Sequence, residues 1–280
     1  MPSRRSFLAP LLSLFLLLPA CSDEGDTIVN EVVTESPPAS GTLLLMTPAN
    51  ILVNVSPSAP TTIISATPIQ GLATDETFVA IDYRPSDKRL YGWSSDSRLY
   101  RIDPLTGVAL PIGALPVFIS GGSFGFDFNP VADRGRIVTD LDFNVRINPD
   151  DVTFNNDTAV AYAPGDVNVG DNPLITALAY TNNVAGAATT TLYGIDQLKS
   201  ILVTVNPPNN GTLNTVGPLG VTTYAGTMCF DIAPSGTAYA AIYSAFTIVQ
   251  LHTIDLSTGT ATLVGTLGTG SALVGMSVVP

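Results

Sequence analysis

Residues 78–113 read FVAIDYRPSDKRLYGWSSDSRLYRIDPLTGVALPIG and contain four short apolar runs. Turn-forming Pro, Gly, Asp and Ser residues separate the runs, which are Phe78–Tyr83, Leu90–Trp93, Arg98–Ile102 and Val108–Ile112. Runs of this length, rich in β-branched and aromatic residues, are typical of consecutive antiparallel strands. The stretch therefore predicts one four-stranded sheet, and such a sheet needs copies of itself to cover its faces.

The chain supplies these copies at a regular spacing. The Asp-x-x-Pro pattern that begins at Asp82 recurs twice, and two degenerate copies complete a series of anchor positions: Asp82, Asp127, Ala179, Asp231 and Ser277. Successive anchors lie between 45 and 52 residues apart. Repeats of about 40–50 residues with four strands each indicate a β-propeller.

The two ends of the chain predict how the ring closes. Leu43–Met46 matches the second run of the quoted stretch, and nothing before it looks like a first strand. Ala272–Pro280 looks like a first strand with nothing after it. We therefore expect an all-β propeller of five four-stranded blades in which the C-terminal strand joins the first blade and removes the unpaired edge. The expected blades are 42–72 plus 272–280, 77–118, 123–170, 174–220 and 226–268.

The third run of a repeat ends in Asp or Asn, at Asp103, Asn148, Asn206 and Asp255. A side chain of this kind can accept the backbone N–H two residues further on and close an Asx-turn. We expect that structural role at all four positions.

Composition narrows the class of protein and of partner. The chain is 45% hydrophobic and 12% charged, with 24 Gly and 22 Pro, and this favours an all-β fold over a helical one. The formal net charge of −12 argues against nucleic acid as a partner, because nucleic-acid binding needs basic surfaces.

The N-terminus has the pattern of an export signal. Arg4 and Arg5 precede an apolar core, and Leu18-Pro19-Ala20-Cys21 resembles a bacterial lipobox, in which Cys21 is acylated. The twin arginines also resemble the twin-arginine export motif, with a plain secretory signal as the alternative. The sequence predicts a lipoprotein signal peptide over 1–20, an acidic tether over 21–41 and a propeller over 42–280. It also predicts a bacterial envelope protein anchored in a membrane through the lipid on Cys21, at the outer membrane or the periplasmic face.

Polar residues concentrate in the segment 125–151, where arginines alternate with acids and amides. The candidate ligand-binding residues are Asp127, Asn129, Asp133, Arg134, Arg136, Asn144 and Arg146. Arginines can bind a carboxylate or sugar through paired hydrogen bonds. The competing interpretation, which we favour, is a network of Asp–Arg pairs that holds one blade to the next.

Groups for catalysis or metal binding are sparse. His252 is the single histidine, which excludes a zinc site with two or three histidines, and we expect it to be a packed strand residue. We expect Cys229 to behave as a small buried hydrophobic residue. The oxygen-rich loops Asn148–Asp151, Asn155–Asp157 and Asp166–Asp171 lack the spacing of an EF-hand. We predict no catalytic residues, no metal ligands and no cofactor, with calcium in these loops as the alternative.

Several motifs together resemble a bacterial family catalogued as domain of unknown function 4394. They are GFDFNPVADRGRIV (125–138), NVRINPD (144–150), AYTNN (179–183), TLYGID (191–196) and PPNNGTLNTVGPLGV (207–221), and the resemblance spans roughly residues 42–280. This chain has Gly135 where the family usually has Leu, and it keeps both neighbouring arginines. The resemblance implies an exported, propeller-like module and adds no catalytic residue.

The leading functional hypothesis is a binding or scaffolding module whose ligand is a peptide, a glycan or an envelope protein. The alternative is a hydrolase or lyase that acts on a polysaccharide or lactone at the channel mouth, using carboxylates or calcium. A third interpretation, a purely structural surface protein, is favoured if the channel is apolar and plugged. Propellers host all of these classes, so fold alone does not separate them.

Overall fold

The computed structural model describes residues 36–224, 228–245, 248–270 and 272–280. The predicted signal peptide over 1–20, the acylation of Cys21 and the tether up to residue 35 lie outside the described residues. No helix in the described ranges is long and apolar enough to cross a membrane.

Twenty-one strands form the described structure. In the first half of the chain they are β1 (Leu43–Met46), β2 (Ile51–Ser56), β3 (Ala59–Pro68), β4 (Phe78–Arg84), β5 (Arg89–Ser94), β6 (Arg98–Ile102), β7 (Ala109–Ala114), β8 (Phe124–Asn129), β9 (Arg134–Thr139), β10 (Asn144–Ile147) and β11 (Phe154–Asn156). In the second half they are β12 (Ala161–Tyr162), β13 (Ile175–Tyr180), β14 (Leu192–Asp196), β15 (Ile201–Val205), β16 (Thr212–Pro218), β17 (Cys229–Ile232), β18 (Ala238–Ala245), β19 (Ile248–Ile254), β20 (Ala261–Thr266) and β21 (Gly275–Val278).

These strands form five sheets, which are the blades of a five-bladed propeller. From the axis outwards, blade 1 is β21-β1-β2-β3, blade 2 is β4-β5-β6-β7, blade 3 is β8-β9-β10-β11, blade 4 is β13-β14-β15-β16 and blade 5 is β17-β18-β19-β20. The innermost strands touch in the cyclic order β21, β4, β8, β13, β17 and back to β21. The predicted fold class is confirmed.

The closure of the ring is also confirmed. Strand β21 pairs antiparallel with β1, so that Leu43 faces Val278 and Leu44 faces Ser277. The last strand of the chain therefore becomes the innermost strand of the first blade. Blade 1 therefore has four paired strands, like blades 2, 3 and 5.

Two local expectations are wrong. Strand β12 lies in the stretch assigned to blade 3, yet it pairs parallel with β16 and adds a fifth strand to blade 4. The Asx-turns form at Asp103, Asn148 and Asp255, but Asn206 has no such bond. Its partner two residues on is Pro208, which has no backbone N–H to donate.

The hydrophobic core lies between blades rather than at one centre. One cluster combines Trp93 and Leu99 of blade 2 with Phe126 and Ile137 of blade 3, and each of the four is at least 95% buried. Each twisted sheet therefore stabilises its neighbour by burying apolar area that a single blade would expose.

Small residues let the innermost strands approach closely at the axis. Two positions before each anchor the blades carry Ala80, Gly125, Ala177, Cys229 and Gly275. A Cβ atom on Gly275 would lie 2.8 Å from the Ile81 backbone nitrogen, so nothing larger than hydrogen fits there. These five small residues narrow the channel, and Cys229 is buried among them. Burial raises the pKa of the Cys229 thiol to about 12.

Candidate functional site

The five anchor positions meet at the axis of the propeller. Each lies on an innermost strand, one or two residues before the C-terminal end of that strand. The carboxylates of Asp82, Asp127 and Asp231 each place one oxygen within 4.8 Å of the others. We call these three residues, together with Ser277, the channel ring.

The channel ring joins each blade to the next through a repeated hydrogen bond. The N–H of the residue after one anchor donates to the side chain of the preceding anchor: Phe128 N to Asp82 Oδ2 (2.9 Å), Tyr180 N to Asp127 Oδ1 (3.2 Å), Val278 N to Asp231 Oδ2 (2.7 Å) and Tyr83 N to Ser277 Oγ (3.1 Å). The Ser277 hydroxyl also donates to Asp82 Oδ1 at 2.8 Å. The motif therefore repeats for a structural reason, because the side chain of each of these anchors accepts a backbone N–H from the next blade.

Blade 4 breaks the pattern, since Ala179 has no acceptor. The N–H of Ile232, which would have bonded to an aspartate at this position, donates instead to Oδ1 of Asp231 at 2.6 Å. The amide of Asn183, four residues after Ala179, donates to the Ile232 carbonyl oxygen at 3.2 Å. The ring thus stays hydrogen-bonded with three carboxylates instead of five.

The electrostatics of the ring are unfavourable for three charges. Asp82, Asp127 and Asp231 are each 1–2% exposed. Among the described residues, no arginine, lysine or histidine forms an ion pair with them. Burial raises the pKa of Asp82 and of Asp127 well above the ordinary value, and the neighbouring carboxylates raise both further. Burial likewise raises the pKa of Asp231, to about 6.

A small cavity of about 10 Å³ lies beside the channel ring at the channel mouth. Asp82, Ser277 and Asn183 line it together with prolines of the repeated motif, Pro85, Pro234 and Pro280. Asn183 is 9% exposed, and its Oδ1 atom is buried with no hydrogen-bond partner. On the other side of the ring, a cavity of about 20 Å³ is lined mostly by apolar residues, which include Phe126, Phe230 and Met276.

The candidate residues predicted from segment 125–151 do not come together as one site. Asp127 belongs to the channel ring, and the Asn129 side chain accepts the N–H groups of Val131 and Ala132 in a turn. Arg134 donates to the carbonyl oxygen of Asp133 at 2.8 Å. The remaining four, Asp133, Arg136, Asn144 and Arg146, lie in contacts between or within blades.

Two arginines carry these contacts from one blade to the next. Arg84 of blade 2 donates to both carboxylate oxygens of Asp133 and to Asp150 of blade 3, at distances of 2.5–3.3 Å. This contact lowers the pKa of Asp133. The segment therefore contains an inter-blade network of the kind that the second sequence interpretation expects.

Arg136, which is 2% exposed, forms the second contact. It donates to Asp157 at 3.0 Å, to Tyr180 Oη at 2.9 Å and to Asn209 Oδ1 at 2.7 Å, and it also bonds to Asn144. Two of these partners, Tyr180 and Asn209, belong to blade 4, so Arg136 connects blade 3 to blade 4. Arg146 binds the same Asp157 carboxylate, through two bonds of 2.6 and 2.9 Å.

A large cavity beside blade 2 was not anticipated from the sequence. It has a volume of about 670 Å³ and lies between blade 2 and the residues that flank blade 1 in the chain, which are Pro37, Pro38, Val279 and Pro280. Its cationic lining residues are Lys88, Arg89 and Arg101, and within the described ranges none of them forms an ion pair. We call it the basic cavity. In the sequence, only one feature could have indicated this cavity: the three cations lie at or beside the ends of strands in a single blade.

His252 and Cys229 hold the structural positions expected for them. His252 is 3% exposed, and its Nδ1 lies 3.3 Å from the carbonyl oxygen of Gln250. Burial lowers its pKa, which favours the neutral ring. Both residues are packed groups of the described structure rather than accessible reactive ones.

Comparison with known proteins places the chain in a family. Residues 51–277 match the family described as Domain of unknown function (DUF4394). None of the curated proteins matches the sequence.

Solved structures show similar folds at low identity. A structural-genomics protein of unknown function from Bacteroides thetaiotaomicron is 15% identical with a TM-score of 0.52, and the match covers 80% of this chain and 58% of that one. A chain of the nidogen/laminin complex is 14% identical with a TM-score of 0.48, covering 85% and 98% of the two chains. Glutaminyl cyclase from Myxococcus xanthus is 15% identical with a TM-score of 0.46, covering 73% and 83%. At such identities the likeness concerns the fold alone, and the one family assignment comes from the sequence match: this chain belongs to the family described as Domain of unknown function (DUF4394).

Proposed function

We propose that this chain is an exported lipoprotein of the bacterial envelope whose propeller binds an acidic peptide segment of a partner protein in the basic cavity. The observation that carries the proposal is a group of three cations in one large cavity that form no ion pair with any described residue, in a chain with net charge −12. The whole sequence has 11 lysines and arginines, so three at one cavity is a strong local concentration.

The charge of the basic cavity favours an anion. Asp103 is the one acid among its lining residues, and the Asp103 carboxylate already accepts the N–H groups of Leu105 and Thr106. Lys88 and Arg89 are exposed and Arg101 is half-buried, so their charged ends can reach a ligand without loss of an existing ion pair. Arginine is suited to paired hydrogen bonds with a carboxylate.

The aliphatic lining of the basic cavity favours a peptide over a sugar as the ligand. Val108 and Leu110 are exposed beside the cations, and Pro104 and Pro280 add apolar surface. The only aromatic lining residue, Tyr83, is 8% exposed, so no open ring face is available for a flat ligand to stack on. A segment in which carboxylates alternate with aliphatic side chains satisfies both features, since alternate residues of an extended chain point to opposite sides.

The test is a titration of the purified protein with a fluorescein-labelled peptide of sequence ELELEL, followed by anisotropy at low and physiological salt. We expect saturable binding that weakens with salt. We expect the double variant Lys88→Ala/Arg101→Ala to bind about tenfold or more weakly. The matched control is Arg134→Ala, which removes a cation outside the basic cavity and should leave binding unchanged.

Three results would contradict this function. They are equal binding by wild type and the double variant, equal loss in the Arg134→Ala control, and tighter binding of trigalacturonate than of the peptide. The last result would identify an acidic glycan as the ligand class.

The lipid anchor has a separate test. In cells that express the full chain, we expect the protein in the membrane fraction, and we expect Cys21→Ser to move it to the soluble fraction, because acyl chains supply the membrane affinity. Replacement of Ser22 by Ala is the control and should leave the fractionation unchanged. A Cys21→Ser protein that stays in the membrane would refute the anchor.

The hydrolase alternative finds less support. Its catalytic carboxylates would have to meet a substrate at the channel mouth, whereas the three carboxylates there are 1–2% exposed. A general acid or base must come within hydrogen-bond reach of its substrate. The proposal therefore remains a binding module.

A further inference from the structure

We propose that the channel ring binds one calcium ion, held by the carboxylates of Asp82, Asp127 and Asp231 and by the amide oxygen of Asn183. This site is separate from the basic cavity and from the oxygen-rich loops considered in the sequence. It would give the propeller a metal at its axis, where all five inner strands meet.

The spacing and type of the donors fit calcium. The three carboxylate oxygens lie within 4.8 Å of one another, close enough for one ion to contact all three at calcium–oxygen distances of 2.3–2.6 Å. Every donor is an oxygen, which is the preference of a hard cation and not that of zinc. Magnesium demands near-octahedral geometry with bonds of about 2.1 Å and usually keeps several waters, for which the cavity of about 10 Å³ beside the ring has no room.

Asn183 supplies the independent observation. Its Nδ2 is occupied by the Ile232 carbonyl oxygen, and this bond fixes the orientation of the amide group. Its Oδ1 is buried without a partner, and the residue lines the cavity that Asp82 and Ser277 also line. A buried acceptor without a donor is costly, and a cation would satisfy it. The cavity of about 10 Å³ has room for a single ion or water.

Charge balance points the same way. Three buried carboxylates without a cationic side chain are expensive to keep ionised. The backbone N–H groups of Phe128, Tyr180 and Val278 and the Ser277 hydroxyl offset part of this charge. A divalent ion would offset most of the remainder.

The experiment measures the melting temperature of the protein after exhaustive dialysis against EDTA, with and without added calcium, beside the metal content of protein purified without chelator. At calcium about 100-fold above its Kd we expect Tm to rise by roughly 5–10 °C. The same concentration of magnesium should produce a smaller rise. We expect about one calcium per chain by elemental analysis.

Variants connect this effect to the ring. Asp127→Asn keeps an oxygen to accept the Tyr180 N–H and removes one charge, so it should abolish the calcium-dependent rise in Tm. Asp133→Asn removes a carboxylate on a contact between blades 2 and 3 and should keep the rise. Asn183→Ala removes the fourth proposed ligand and is the second variant of the ring site. It should weaken calcium binding, and it provides a test if Asp127→Asn does not fold.

Several outcomes would overturn the calcium site. These are a wild-type Tm equal in calcium and in EDTA together with metal-free protein, an unchanged calcium response in both ring variants, or a larger response to magnesium than to calcium. None of them bears on peptide binding in the basic cavity, which is measured separately.

Discussion

Two sets of aspartates in this propeller have opposite effects on its stability, although the side chain is the same. Asp133 meets Arg84 of the neighbouring blade and Asp157 meets Arg136 and Arg146 of its own blade, at 2.5–3.0 Å, and the contact with Arg84 lowers the pKa of Asp133. In the channel ring, Asp82, Asp127 and Asp231 meet only one another and neutral donors, and burial raises their pKa values. A cationic partner within reach, rather than the aspartate itself, therefore decides whether the carboxylate stabilises the propeller.

The largest expected effect is at the buried arginine between blades 3 and 4. Arg136→Ala should lower the free energy of unfolding by about 3–5 kcal/mol, because it leaves Asp157 and Asn144 buried with fewer partners. Urea unfolding measures the loss. Arg134→Ala is the matched control, since it removes a single bond to a backbone carbonyl oxygen, and should cost less than about 0.5 kcal/mol. Equal losses in the two variants would show that Arg136 does not hold the blades together.

A smaller effect, and one of opposite sign, separates the two sets of aspartates. In EDTA at pH 7, Asp127→Asn should raise the free energy of unfolding by about 1–2 kcal/mol. The folded state raises the pKa of this carboxyl, so its charge opposes folding at pH values above that raised pKa, and this opposition is relieved as the pH falls. Asparagine removes the charge and keeps the oxygen that accepts the Tyr180 N–H.

Asp133→Asn is the counterpart of this variant and should lower the free energy of unfolding by about 1 kcal/mol or less, because Asp133 is partly exposed and solvent screens its contact with Arg84. The folded pKa of Asp133 is lowered, so its stabilisation is present above the unfolded pKa and is lost as the pH falls through the folded value. If both variants shift stability in the same direction at pH 7, the distinction between the two sets is wrong.

Much of the fold was predictable because it repeats. The spacing from Asp82 to Ser277 indicated five units, and the match of Leu43–Met46 to a second strand indicated how the ring closes. The short strand β12 was misassigned, since two residues carry too little pattern to show that they pair with Thr212 and Leu213. The role of Asn206 was also misjudged, although the Pro208 that prevents it was visible in the sequence.

The candidate sites were much less predictable. The anchors were treated as markers of the repeat, although one acid at the same position of several innermost strands must converge at the axis of a closed ring. Asp127 was therefore grouped with its neighbours in sequence, such as Asn129 and Asp133, rather than with Asp82 and Asp231. The basic cavity was missed because its residues come from separate turns of one blade and from the chain end at Pro280.

The all-β class, the number of blades and the closure by the last strand were all predictable from the amino-acid pattern. These follow from local alternation, turn residues and a period, which are properties of neighbouring residues in the chain. Folding of the whole chain determines which carboxylates gain an arginine, which remain together without one, and where Lys88, Arg89 and Arg101 lie without an ion-pair partner among the described residues. Those outcomes depend on distances between blades, because side chains more than 40 residues apart are brought into contact only when the ring closes.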